Sequence, residues 1–151
     1  PEANNELAIA RVDDLVSFLG IPVRNGRTAG YSQNTGAINI PTPKDFDSPA
    51  QRAATILAKV ILWTRDERRI DRETDEIEGV IEVLGSALLA TALRLGAATV
   101  TDIDWAQIFS EKPQNFWDAI PHAERAAEYV LDLVHPDLAT EIAALEEGET
   151  P

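Results

Sequence analysis

Apolar and polar positions alternate along this chain in two registers, and the change of register marks its organisation. Over residues 2–19, Leu7, Ala10, Leu15, Phe18 and Leu19 recur at near-helical spacing, and Gly20 follows as a stop. The spacing predicts an amphipathic helix. Residues 21–43 have another texture, with Gly26, Gly30, Gly36, Pro22, Pro41 and Pro43. "RNGR" holds an Asn-Gly pair, a strong hairpin signal, and "NTGAINI" alternates Ala37 and Asn39 against Ile38 and Ile40. Short strands are expected at about 22–24, 29–33 and 37–40.

From Ser48 onward the pattern is helical. Ser48 suits an N-cap and Pro49 the first helical position, so a helix is expected over 49–66. A second is expected over 73–95, ending at Gly96. "TDID" at 101–104 has the form of a capping box and opens a short helix through Trp105 and Phe109. Further helices are expected over 113–119 and 121–134, with Pro121 starting the latter and His135-Pro136 stopping it. A last helix, 137–147, runs into an acidic tail with Glu141, Glu146, Glu147 and Glu149. No internal repeat or low-complexity linker interrupts the chain. The expectation is one α+β domain over 1–151, mostly helical, with a small antiparallel sheet in the N-terminal third.

Composition narrows the chemistry. The 151 residues are 44% hydrophobic, enough for one real core. There is no cysteine, which excludes disulfides and thiolate chemistry, and two histidines, His122 and His135, do not make a His-rich metal site. No apolar run approaches the roughly 18 residues of a membrane span, and no signal-like leader stands at the start, so a cytoplasmic protein is expected. Acids outnumber bases 26 to 13, for a net charge of -13. Most of such a surface repels a phosphate backbone, so direct nucleic-acid binding is not expected. A basic protein partner, or a DNA-binding one, fits the charge.

One helix poses a sharper problem. Within "ATILAKVILWTRDERRIDRE", Lys59 sits inside an otherwise oily run from Ile56 to Trp63. Either its ammonium snorkels to the surface or it is buried against a carboxylate. The dense arginines that follow, Arg65, Arg68, Arg69 and Arg72, are interleaved with acids and read as ion pairs on a helix surface. Asp13-Asp14 reads as a solvated face. His122 and His135 lie near prolines and read as capping or surface residues. Trp63, Trp105, Phe116 and Trp117 read as packing residues.

The order "GYSQNTGAINIPTPKDFDSPAQRAATILAKVILWTRDERRIDRE" resembles the zincin-like metallopeptidase domain of ArdC-type antirestriction and phage polyvalent proteins. The features that carry the resemblance are Tyr31, Ile40-Pro41, Asp45-Phe46, the helix at 49–66, Trp63-Thr64 and the turn Arg68-Arg69-Ile70-Asp71-Arg72. "EIEGVIEVLGSALLATALRLG" resembles the family's Glu-rich helix, and "DWAQIFSEKPQNFWDAIPHAERAAEYVLDLV" its ending. The likeness runs over about 22–135 and implies a zincin-like fold. Residues 2–19 are too short to match the family's N-terminal nucleic-acid-binding domain.

The chain departs from the family where the chemistry is. In place of His-Glu-x-x-His stands Ala58-Lys59-Val60-Ile61-Leu62. Histidines at i and i+4 share a helix face and grip one metal, while the glutamate activates water. Ala58 and Leu62 offer no lone pair, and Lys59 is a cation. The resemblance leaves one acid on the next helix, Glu82, with Glu78 as the alternative. The expectation is a vestigial site without metal or other cofactor, in which Lys59 pairs with Glu82. The implied function is a catalytically inactive pseudoenzyme of a phage or mobile element, in the bacterial host cytosol. It would act by binding a host or phage protein, in antirestriction or regulation. Two alternatives are a hydrolase whose metal is held by Asp66, Asp75, Glu78 and Glu82, and a structural or assembly protein of a virion.

Overall fold

The computed structural model describes residues 2–46, 48–66, 68–70, 72, 76–93 and 113–134, with side chains from residue 11 onward. The chain begins with helix α1 (Glu2–Leu19). Gly20 adopts φ 71° and Ile21 N donates to Val16 O at 3.1 Å, a glycine-dependent helix stop that turns buried Ile21 back onto the core. Three short strands follow: β1 (Val23–Asn25), β2 (Gly30–Ser32) and β3 (Ala37–Ile40). They are followed by helices α2 (Pro49–Trp63), α3 (Glu78–Ala92) and α4 (Pro113–Val134). The fold is α+β and mostly helical.

The sheet is mixed rather than wholly antiparallel, in the order β1-β3-β2. β2 and β3 form the antiparallel hairpin, around a turn in which Gly36 has φ 69°. β1 instead pairs in parallel with the other edge of β3, Val23 opposite Ile38. Asn25-Gly26 therefore makes no hairpin. Gly26 N donates to Ile40 O at 3.0 Å and ends the β1 ladder. Burial explains the order. Ile38 and Ile40 are fully buried, so β3 takes the centre, and the exposed strand β1 goes to an edge.

α2 is built from both ends. Ser48 Oγ accepts from Gln51 N at 3.1 Å, and Pro49 opens the first turn. Ala53, Ile56, Leu57, Val60 and Ile61 are buried along it. The helix stops at Trp63, short of the expected 66, because Thr64, Arg65 and Asp66 donate to the carbonyls three residues back and tighten the last turn. The two helices expected over 113–134 are one. Pro121 lies on its exposed side, so its ring, which has no N–H to donate, stands clear of the buried stripe. The buried stripe Ala119, Ala123, Ala126, Ala127, Val130 and Val134 runs across it unbroken. The helices expected at 101–109 and 137–147 lie outside the described residues. No helix among the described residues is long and apolar enough to cross a membrane.

α2 is central, touching α1 and the sheet as well as α3, while α3 packs broadly on α4. Gly85 sets the α2–α3 distance. A Cβ there would stand 2.9 Å from Cγ1 and Cδ1 of Ile61, a fully buried side chain. Gly85→Ala is therefore expected to destabilise by about 1–3 kcal/mol despite its gain in helix propensity. Pairing it with Ile61→Val should recover part of the loss, as read by urea denaturation. Equal losses for single and double variants would count against this contact.

Candidate functional site at the α2–α3 seam

Close approach at Gly85 brings two oppositely charged side chains together one turn away. Lys59 of α2 donates from Nζ to Oε1 of Glu82 in α3 at 2.8 Å. Their side chains are only 19% and 16% exposed. The ammonium therefore stops on a carboxylate within the seam. Ala58 and Leu62, one helical turn apart on α2, are half-buried beside it. Glu78 is committed elsewhere, which leaves Glu82 as the acid facing this stretch of α2.

Glu78 opens α3 and is gripped by Arg72. Arg72 Nη2 lies 2.5 Å from Glu78 Oε1, and Nε lies 3.1 Å from Oε2, a two-pronged pair. The same guanidinium donates to Ile61 O at 3.0 Å and Thr64 Oγ1 at 2.8 Å. Both charged side chains are under 10% exposed. A cation thus meets a carbonyl and a hydroxyl at the C-terminal end of α2, an anion sits at the N-terminus of α3, and the two bond to each other. Each charge also complements its helix dipole. The arginines were expected as ion pairs on a helix surface. They lie instead in the turn after α2, and Arg72 is buried.

A third polar cluster closes the end of α2. Buried Asp66 accepts from Arg68 Nε and Nη2, both at 2.9 Å, from Arg68 N at 3.0 Å and from Tyr31 Oη at 2.9 Å. The Arg68 hydrogen bonds hold the Asp66 carboxyl well below the usual carboxylate range against the opposing effect of burial. Arg69 stacks over the Trp63 ring at 3.8 Å and donates to Trp63 O at 3.3 Å. Tyr31 of β2 is thereby tied to the turn, so sheet and α2 are locked at this corner.

These geometries bear on the carboxylate set considered for a metal. Asp66, Glu78 and Glu82 each face a basic side chain, and they belong to three separate clusters rather than one. Among the described residues no group of three or more His, Cys, Asp and Glu is arranged to hold a metal ion. Asp75, Trp105 and His135 lie outside the described residues. His122 is within α4 rather than at a helix end. Trp63 is buried and meets Tyr129 with ring centroids 6.3 Å apart, whereas Trp117 is 56% exposed and so is not a core residue. Asp13, expected on a solvated face, is 57% exposed there and lies 3.7 Å from Arg52.

Solved structures share this fold. The Mn(II)-bound crystal structure of the antirestriction ArdC protein from the R388 plasmid matches with a TM-score of 0.64 at 23% identity, over 85% of this chain and 53% of that one. Its metal-free structure matches with a TM-score of 0.60 at 22% identity, over 82% and 50%. The chain spans about half the length of these proteins. Likeness at this identity speaks for the fold. Among curated proteins the sequence finds no match.

A zincin-like fold implies a metal, and the side chains present can be tested against one. Ala58 and Leu62 supply no donor atom, and the Glu82 carboxylate already holds an ammonium. This set does not fit a metal ion. The model of the zincin-like metallopeptidase family nonetheless matches residues 10–119, well over half of the chain. The chain belongs to the zincin-like metallopeptidase family.

Proposed function

We propose that this protein has given up metal-dependent hydrolysis and acts by binding protein, as an antirestriction-type factor of a phage or mobile element. The observation that carries the reading is the Lys59–Glu82 pair at 2.8 Å. Peptide hydrolysis on a zincin fold needs an open metal position and a base beside it. Here Lys59 replaces the base with a charged donor and neutralises the remaining acid. The fold shared with a plasmid antirestriction protein supports the setting. A net charge of -13 supports a basic or DNA-binding protein as partner, in the cytosol of a bacterial host. The hydrolase alternative is not favoured, because its described carboxylates face cations.

The test is metal content by mass spectrometry on protein purified without chelator, with thermal unfolding in chelator, Mn(II) and Zn(II). Substoichiometric metal and an unchanged midpoint are expected. One equivalent of bound metal, or a midpoint that climbs with metal concentration, would overturn the reading.

A further inference from the structure

The face of α3 beyond the seam forms a groove with α4. Leu84, Leu88 and Thr91 line one wall, at helical i, i+4, i+7 spacing. Ile120, Ala123 and Glu124 belong to the other. The groove holds about 250 Å³ and is almost wholly apolar, and Leu88 is 42% exposed at its lip. Two helical walls around an apolar trough suit a third helix, laid in with anchors at i, i+3 or i+4 and i+7.

The charges select the chemistry of that helix. Glu124 is the one charged residue among the described residues of the lining. Around it the exposed charges of α4 are Asp118, Glu124, Glu128 and Asp132 against Arg125. α3 carries no basic residue, and its two acids are already bonded to Arg72 and Lys59. An acidic partner helix would meet net like charge along α4, whereas Lys or Arg flanking an apolar stripe would meet Glu124 and its neighbours.

We propose that the α3–α4 groove is a docking site for a basic amphipathic helix of a partner protein. This deepens the protein-binding reading and rests on it. Metal content tests the Lys59 seam separately, so either claim can fail alone.

The experiment titrates the full 151-residue chain into a fluorescein-labelled Leu/Lys amphipathic peptide at physiological salt, read by anisotropy. A Leu/Glu peptide with the same apolar face runs in parallel. Saturable binding of the Leu/Lys peptide alone is expected. Leu88→Asp should weaken it at least about tenfold, the scale of losing one central apolar anchor. That variant adds a negative charge, so diffuse attraction would not weaken. Glu124→Lys should weaken binding more than Asp14→Lys, which changes net charge equally at an exposed position of α1. Thermal unfolding of each variant controls for folding. Undiminished binding by Leu88→Asp, equal binding of the Leu/Glu peptide, or no binding would overturn the proposal. So would a dimer of the chain that Leu88→Asp dissolves, since the groove would then hold a second copy.

Discussion

Replacing Arg72 by methionine is expected to lower the unfolding free energy by about 3–5 kcal/mol, the usual scale for stranding one partner of a buried pair. Urea denaturation of variant and wild type would measure it. The loss has three parts. Glu78 keeps a buried charge without its two-pronged donor. Ile61 O loses a donor at the end of α2, and Thr64 Oγ1 loses another. The double variant Arg72→Met/Glu78→Leu should be clearly more stable than Arg72→Met alone, because an apolar pair of similar volume avoids the stranded charge. A single-variant loss under about 1 kcal/mol, typical of an exposed pair, would show that the clamp does not hold α2 to α3.

Lys59→Met should cost about 2–4 kcal/mol, somewhat less because the Lys59–Glu82 pair keeps some contact with solvent. The Met stem fills the space of the lysine methylenes, so the loss reports the stranded Glu82 carboxylate. Adding Glu82→Gln should restore much of it, since a neutral amide tolerates the same seam without a cation. Mn(II) or Zn(II) added to Lys59→Met should not restore it, because one carboxylate does not hold a metal ion tightly. Rescue by metal would mean that further ligands face this position.

How far the chain could be read in advance depended on whether a signal was local. Ser48-Pro49 and the apolar run from Ala53 to Trp63 specify α2 within a few residues, so the helix was legible. The ordered set Tyr31, Ile40-Pro41, Trp63-Thr64 and the arginine turn was enough to suggest the family. A lysine amid an oily run was conspicuous because charge burial needs a reason. Strand order was not legible. Asn25-Gly26 is a hairpin signal only if the next strand returns beside the first, and the competition for burial gave the central position to Ile38 and Ile40. Pro121 reads as a helix start, and only the position of the exposed face shows that a helix can run through it. In the sequence Arg72 reads as a surface charge, because its partners, Ile61 O, Thr64 and Glu78, are gathered only by a turn. The available clue was a base just past one helix facing an acid at the start of the next.

The Lys59–Glu82 pair decides what the α2–α3 seam depends on at this point. A seam bridged by a metal has a strength set by supply: it tightens as free ion rises and slackens when the ion is scarce or captured by a competitor. An ammonium carried on the chain is made with the protein, stays at fixed stoichiometry and cannot be chelated. It has no binding equilibrium with the cell's metal pool. Where two charges meet inside one chain, the contact is as constant as the covalent structure that holds them, and this contact needs no loading step between synthesis and use.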